Sequence, residues 1–355
     1  MKNLNECVEK FFESRSLTNL IVRVGIGDKT LCELIKTAEN RDLNSHTLFN
    51  MASVTKMMCT TTLALIAIDR GLLSLQDRLS KFFDAPRAKE LTVFNLLTHT
   101  IGIGHKNLTG HTAGYESVGE YILNIPPDIP AGTDVLYSCP GFILLGRVLE
   151  KVFGDRLDHL FTRYVADPLG MNNTGFLPDK NQDFVNANLL PDEAGIVNDY
   201  NCRHLGGVCG NAGLFSNLDD VMLYVNMLLA KGAPLFSQKT FESAVQNHTP
   251  NMSQSRGLGF VWSDEKYGRT GGLFENGAIG HGGYTGQSVF ADPGSGLYVI
   301  ILSDATACSC RKHGGREKAE ETRQCIRDIH EAIKKDLGFC SRSEILIKGY
   351  ENENN

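Results

Sequence analysis

Residues 51–58 read MASVTKMM and lead directly into the apolar run LALIAI at 63–68. This apolar stretch stops at Arg70-Gly71, and glycine commonly ends a helix, so the pattern predicts a helix here. Residues three apart share a helix face, so the amine of Lys56 can reach the hydroxyl of Ser53. A lysine whose pKa is lowered by burial can take the serine proton and make the hydroxyl a nucleophile. Alone, the spacing also fits an ordinary pair on a helix surface.

The flanking segments predict strands at both ends of the chain and helices between them. Predicted strands are LIVRVGIG (20–27), TLCELI (30–35), QSVFADP (287–293) and LYVIILSD (297–304), and amphipathic helices are predicted at 1–16 and 315–335. Distant strands most simply pair in one antiparallel sheet covered by the two terminal helices. We therefore predict an α/β (α+β) fold with a sheet lobe, an inserted helical lobe and a tail. Their boundaries are 1–58 with 233–340, 59–232, and 341–355.

Composition excludes several classes of protein. The 355 residues carry a net charge of −6, whereas a general nucleic-acid binder normally has a basic excess, so no nucleic-acid partner is expected. The apolar runs are too short to cross a bilayer, so no membrane segment is expected. The charged N-terminus lacks a signal-like apolar region, and the ten cysteines are expected to be reduced thiols, so a cytoplasmic location is predicted. The sequence assigns no oligomeric state.

Two further segments carry residues suited to the same chemistry. YSCPGFILLGRVLE (137–150) places a tyrosine just ahead of a Pro-Gly that opens a predicted helix, and IGHGGYTGQSVFADP (279–293) places a histidine and glycines before a strand. With MASVTKMM, these blocks resemble the penicillin-binding protein and class C β-lactamase-like family of serine hydrolases. The resemblance covers about residues 47–304. It implies a β-lactamase/transpeptidase-like fold with the active site in the cleft between the two lobes.

The resemblance also implies roles for individual residues. Ser53 matches the serine that is acylated in this family, and Lys56 matches the lysine that accepts its proton. Tyr137 falls at the tyrosine of the Y-x-N motif, which protonates the leaving group and activates water. His281 falls at the lysine of the K-T-G motif, where it is expected to donate to the tyrosine oxygen or bind substrate. The backbone N–H groups of Ser53 and Tyr284 fall at the oxyanion hole.

The chain departs from the family pattern at two substrate-binding positions. Cys139 replaces the asparagine of Y-x-N, and a thiol is a weak hydrogen-bond donor. Cys139 is therefore a packed cysteine or, alternatively, a second nucleophile or a redox-sensitive thiol. Gly282 replaces the threonine of K-T-G, which removes a hydroxyl that helps to hold a substrate carboxylate. Gly283, beside it, lets the strand backbone approach the substrate closely.

Together these features predict a serine hydrolase that cleaves an amide or ester bond through an acyl-enzyme. The first predicted substrates are D-amino-acid-containing or peptidoglycan-derived peptides, so a small molecule or peptide is the expected partner. A carboxylesterase, a β-lactamase and a non-catalytic binding protein on the same fold remain alternatives. No cofactor or metal is predicted, because the His and Cys spacings, such as Cys202, His204 and Cys209, fit no recognised zinc pattern.

Overall fold

Strands from both ends of the chain pair in one five-stranded antiparallel sheet. These strands are β1 (Asn19–Ile26), β2 (Lys29–Thr37), β5 (Ile279–Gly282), β6 (Ser288–Ala291) and β7 (Leu297–Ser303), in the spatial order β2-β1-β7-β6-β5. A separate pair joins β3 (Phe49–Asn50) to β4 (Phe215–Ser216). The computed structural model describes residues 1–110, 114–262, 270–274, 278–312 and 317–338, so the predicted tail lies outside it. The predicted fold class, with one antiparallel sheet and many helices, is confirmed.

Helices fill the sequence between the second and fifth strands and also cover the sheet. The first and last are α1 (Lys2–Glu13) and α12 (Glu317–Leu337), with α11 (Ala305–Lys312) before the latter. Those between are α2 (Thr62–Asp69), α3 (Val93–Leu97), α4 (Val118–Asn124), α5 (Cys139–Phe153), α6 (Leu157–Phe161), α7 (Asp167–Leu169), α8 (Tyr200–His204), α9 (Leu218–Leu229) and α10 (Gln238–Ala244). Short 3₁₀ turns lie at Leu79–Lys81, Pro86–Lys89 and Pro191–Glu193, and π-helical segments at Lys56–Thr61 and Thr162–Ala166. No helix in these ranges is long and apolar enough to cross a membrane.

Both faces of the sheet are buried at β1, β5, β6 and β7, whereas the edge strand β2 is partly exposed, and the two faces have different partners. Side chains alternate along a strand, so Leu20, Val22 and Val24 of β1 share one face. They pack in an apolar cluster with residues of α1 and α12, including Ile329. Ile21, which points the other way, belongs to the large cluster formed with the helices between 59 and 232. The sheet therefore separates an outer apolar layer from the side on which the polar residues of the predicted site meet.

Candidate active site

Ser53 lies in a tight turn between β3 and the helix that follows. The side-chain oxygen of Asn50 accepts a hydrogen bond from the Ala52 N–H at 2.9 Å, and Ala52 has a φ of 44°. This left-handed conformation is uncommon for a residue with a Cβ and persists only where neighbouring contacts hold it. One such contact runs from the Met51 N–H to the Leu214 carbonyl at 2.9 Å. The turn presents Ser53, half-buried, to the wall of a cavity.

Lys56 is fully buried and touches Ser53 directly. It begins the π-helical segment that continues into α2, and π-helical turns are frequent at functional sites. Its Nζ donates to Ser53 Oγ at 3.0 Å and to the backbone carbonyl of Asn211 at 2.9 Å. The loop that supplies Asn211 is fixed in turn, because Thr60 Oγ1 donates to the carbonyl of Gly210 at 2.7 Å. The amine is therefore held between Ser53 and the loop that contains Asn211.

The protonation of Lys56 is set by opposing effects. Burial by itself lowers the pKa of Lys56, but the negative charges of Cys139 and Tyr137 and a hydrogen bond with Tyr137 raise it, and the net shift is upward. The expectation of a lowered lysine pKa is therefore wrong, because its two acidic partners outweigh burial. Lys56 is held as an ammonium that stabilises negative charge on the phenol or the thiol beside it.

Tyr137 packs against a buried histidine, His99. Nδ1 of His99 accepts a hydrogen bond from the Ser138 N–H at 3.1 Å, and the ring centroids of His99 and Tyr137 lie 4.7 Å apart. The Lys56 Nζ lies 5.1 Å from the centroid of the Tyr137 ring. Burial, followed by the positive charges of Arg256 and Lys56, lowers the pKa of His99 well below its ordinary value. His99 is thus a neutral support for the tyrosine at pH 7.

Cys139 is the first residue of α5 and lies between Lys56 and the open cavity. Its Sγ accepts a hydrogen bond from Lys56 Nζ at 3.5 Å. His105, an exposed residue that also lines the cavity, lies close enough for the thiol to raise the pKa of its imidazole. The structure therefore places the thiol beside an ammonium and near a histidine rather than among apolar groups.

His281 lies on β5 and is fully buried on the same face as Ile279, the face toward Tyr137. Its ring centroid is 6.1 Å from that of Tyr137. Nδ1 of His281 lies 2.7 Å from the carbonyl oxygen of Gly282. A carbonyl only accepts hydrogen bonds, so Nδ1 carries the proton and the neutral ring presents Nε2 as an acceptor. Donation to the tyrosine oxygen, one of the two roles expected for His281, would require the doubly protonated ring.

The strand end that follows His281 forms the opposite wall of the cavity. Gly282, Gly283 and Tyr284 all line it, and the Tyr284 side chain is 43% exposed. A Cβ on Gly283 would lie 2.9 Å from the Met51 carbonyl oxygen, so glycine permits the close approach of β5 to the turn before Ser53. The cavity has a volume of about 720 Å³, within the range that holds a small ligand.

Some residues at the site were not identified from the sequence. The carbonyl of Asn211 belongs to the GVCGNAGLF segment (207–215), to which the sequence analysis gave no role, and a backbone contact leaves no side-chain signal. His105, Asp199 and Arg256 line the cavity from three separate loops. No local spacing connects these residues to Ser53, so only the folded chain shows that they are neighbours.

Comparison with known proteins places this site in a family. The sequence matches the profile of the Beta-lactamase family over residues 4–316, nearly the whole chain. The chain therefore belongs to the Beta-lactamase family, and the resemblance to penicillin-binding proteins and class C β-lactamases is confirmed. The prediction of a serine hydrolase is confirmed with it.

Individual relatives carry peptidase and amidase names. The chain is 26% identical over 303 residues to an N-acetylmuramyl-L-alanine amidase of Bacillus subtilis (strain 168), covering 74% of this chain and 69% of that protein. It is also 26% identical over 303 residues to a putative D-alanyl-D-alanine carboxypeptidase of Escherichia coli (strain K12), covering 73% of this chain and 69% of that protein.

Solved structures share the fold at lower identity. The octameric penicillin-binding protein homologue from Pyrococcus abyssi superposes with a TM-score of 0.72 at 19% identity, covering 94% of this chain and 77% of that one. EstCE1, described as a hydrolase with promiscuous acyltransferase activity, superposes with a TM-score of 0.70 at 21% identity, covering 92% and 98%. At these identities the likeness establishes the fold alone.

Proposed function

We propose that the chain hydrolyses an amide or ester bond by acylation of Ser53, with Lys56 and Tyr137 as its proton-transfer pair. The observation that carries this proposal is the 3.0 Å contact between Lys56 Nζ and Ser53 Oγ at the wall of the cavity. Lys56 Nζ also lies 5.1 Å from the centroid of the Tyr137 ring, and its interaction with the phenol raises the pKa of Lys56. A serine hydroxyl becomes an effective nucleophile when such a neighbour accepts its proton.

The raised pKa of Lys56 favours a relay in which the lysine never loses its charge. As Ser53 Oγ attacks the substrate carbonyl, its proton passes to Lys56 Nζ while Lys56 gives another proton to the phenolate of Tyr137. The neutral phenol then protonates the leaving group, and the regenerated phenolate activates the water that releases the acyl group. His281, whose Nε2 accepts in the neutral ring, is assigned to orienting the Tyr137 hydroxyl.

The developing oxyanion is assigned to the backbone N–H groups of Ser53 and Tyr284. Both residues line the cavity, one from the turn after β3 and the other from the end of β5. Fixed N–H donors on opposite sides of a carbonyl stabilise the tetrahedral intermediate more than the ground state. Gly283 contributes by allowing the two segments to approach.

A peptide with D-amino-acid or peptidoglycan-like character is the first proposed substrate. The names of the bacterial relatives support this class, and the cavity wall includes the amide side chains of Asn107, Asn198 and Gln254. Arg256 and Arg323 add positive charge to the lining, which suits a substrate carboxylate.

A small-ester carboxylesterase is the second candidate, and one observation favours it. Gly282 lines the cavity where the family pattern has a threonine hydroxyl, so this wall offers less to a free carboxylate. An ester without a terminal carboxylate makes no contact with such a hydroxyl, so the replacement of threonine by Gly282 does not weaken its binding.

The test separates the catalytic step from the choice of substrate. A serine-directed fluorophosphonate should add one adduct to the full chain, located on Ser53 by peptide mass spectrometry and absent in Ser53→Ala. A panel of D-alanyl peptides, p-nitrophenyl esters and nitrocefin then ranks the substrates by kcat/KM. No adduct under conditions that label a control hydrolase would favour a non-catalytic binding protein.

A cytoplasmic location is proposed on the state of the cysteines. The nine cysteines that the structure describes are free thiols, and six of them are buried. Free thiols persist in a reducing compartment. Cell fractionation with compartment markers tests this directly, and recovery in an oxidising or extracellular fraction would contradict it.

A further inference from the structure

Three ionisable side chains meet beside Ser53 in an arrangement that the hydrolytic mechanism does not require. Cys139 Sγ is 3.5 Å from Lys56 Nζ, and it lies close enough to the imidazole of His105 for each of the two side chains to shift the pKa of the other. Both Cys139 and His105 line the 720 Å³ cavity. Cys139 is only 5% exposed. Because the residue lines this cavity, its exposed atoms open onto the cavity rather than onto the outer surface.

The charges that face Cys139 come from three elements. Burial raises the pKa of Cys139, the positive charge of Lys56 and the hydrogen bond with His105 lower it, and the charge of Asp199 raises it, with a net downward shift. The hydrogen bond with Cys139 in turn raises the pKa of His105 against the effect of burial. An ammonium and an imidazolium on either side of a thiol are the surroundings that produce reactive cysteines.

Other cysteines in the chain show the opposite behaviour. Burial raises the pKa of Cys59, Cys202, Cys308 and Cys325, and it raises that of Cys7 to about 11. Buried thiols of this kind are inert packing groups. The contrast sets Cys139 apart from these five by its electrostatic surroundings rather than by its burial.

We propose that Cys139 is a second nucleophile in the Ser53 cavity, a covalent-modification site for small soft electrophiles and for hydroperoxides. With hydrogen peroxide the thiolate sulfur attacks one peroxide oxygen, an S–O bond forms and the O–O bond breaks. Sulfur loses two electrons and becomes sulfenic acid, and the departing hydroxide takes a proton from the His105 imidazolium to leave as water. His105 thus acts as the acid for the leaving group, and no other reductant or oxidant is needed.

Modification would act on hydrolysis through Lys56. Loss of the thiolate removes one of the negative charges that hold Lys56 as an ammonium, and a larger group on sulfur would fill space next to Ser53. This consequence rests on the proposed acylation of Ser53, whereas the reactivity of Cys139 does not.

The experiment measures the reactivity of each cysteine in the native full-length chain. Iodoacetamide is applied in short pulses between about pH 6 and pH 9.5, the range over which ordinary thiols ionise. Alkylation is then quantified cysteine by cysteine by peptide mass spectrometry. Cys32, half-buried on β2, is the internal reference. Cys139 is expected to be alkylated at about pH 6 at least about tenfold faster than Cys32, with the ratio narrowing toward pH 9.5.

Matched variants assign the effect to the proposed partner. His105→Asn and His105→Gln keep a polar side chain but remove the imidazolium, so either should lower the Cys139 rate at about pH 6 by about tenfold. Thermal melts confirm that both variants are folded. In parallel, peroxide followed by dimedone should yield an adduct on Cys139 that is absent in Cys139→Ser.

Two results would overturn the proposal. The first is that Cys139 is alkylated no faster than Cys32 at about pH 6. The second is that the pH dependence of Cys139 alkylation is the same in the His105 variants as in the parent chain. Fluorophosphonate labelling of Ser53 in the same samples keeps this outcome separate from a failure of the proposed hydrolysis. A chain that labels at Ser53 but not at Cys139 contradicts only the thiol proposal.

Discussion

The two sides of the five-stranded sheet are built on different principles. The outer side is an apolar layer in which β1 and β7 pack against α1 and α12 through side chains such as Val22, Ile301 and Ile329. The inner side, toward the helices between 59 and 232, brings together an ammonium, a phenol, a thiol and imidazoles from separate segments of the chain. Lys56 and His281 are fully buried there. Burying such polar groups without partners costs free energy, so the stability of the inner side depends on specific contacts. The stability of the outer side depends on the apolar surface area that it buries.

This difference predicts that stability and chemistry can be changed separately. Substitutions in the outer layer should alter the free energy of unfolding and leave the chemistry of the folded protein intact. Substitutions at exposed positions of the inner cavity should do the reverse. Four changes, taken from the largest expected effect to the smallest, can break or sharpen this comparison.

Ser53→Ala should lower kcat/KM for the best ester or peptide substrate by at least about 10⁴-fold. The change removes the proposed nucleophile, while the turn that holds it is fixed by the side-chain oxygen of Asn50 and the backbone N–H of Met51. The free energy of unfolding should therefore stay within about 0.5 kcal/mol of the parent. Ser243→Ala, an exposed serine in α10, is the matched control. Turnover retained in Ser53→Ala would displace the nucleophile assignment.

Ile329→Ala should act on the other side of the sheet. Ile329 is fully buried in the outer apolar cluster, so truncation should reduce the free energy of unfolding by about 2–5 kcal/mol. Urea denaturation followed by circular dichroism measures this loss, with the exposed Gln324→Ala as the control on the same helix. The kcat/KM of the folded fraction should not change. A large loss of kcat/KM at full folding would show that the two sides are coupled.

The same contrast explains how much the sequence alone could predict. The outer layer could be predicted from the sequence because its patterns are local, namely the alternation in β1 and β7 and the helical spacing in α1 and α12. The Ser53–Lys56 pair could be predicted for the same reason, because the two residues are only three positions apart. The positions of His105 and of the Asn211 carbonyl could not be predicted. Both come close to Lys56 only when the chain folds, across about 50 residues for His105 and 155 residues for Asn211. The predicted direction of the Lys56 pKa shift was wrong for the same reason, because the shift depends on Cys139 and Tyr137 and not on burial alone.

A pH titration of stability tests a histidine that is buried against the outer layer. His330 is fully buried, with Nε2 3.0 Å from Ser288 Oγ, and burial lowers the pKa of His330 to about 3. In the unfolded chain a histidine has a pKa near 6.5, so between about pH 6.5 and 3 the unfolded state binds the extra proton. Its contribution to stability is therefore complete above about pH 6.5 and is lost as the pH falls, by up to about 1.4 kcal/mol per pH unit.

His330→Gln should make this acid loss shallower by that amount while keeping a polar partner for Ser288. Denaturation midpoints measured at several pH values between about 4 and 7 give the slope. The exposed His204→Gln is the control and should leave the slope unchanged. An identical slope in His330→Gln would mean that another group, such as the buried His99, carries the effect.

Gly282→Thr should have the smallest effect, a change in substrate preference. Gly282 lines the cavity at the end of β5, and threonine is well suited to an extended strand. Its hydroxyl can donate one hydrogen bond to a substrate carboxylate, and such a bond contributes about 0.5–1.5 kcal/mol. The kcat/KM ratio of a D-alanyl-D-alanine peptide over its C-terminal amide should therefore rise by about two- to tenfold. Gly282→Ala adds the Cβ without the hydroxyl, so equal ratios in the two variants would show that this wall does not contact the carboxylate.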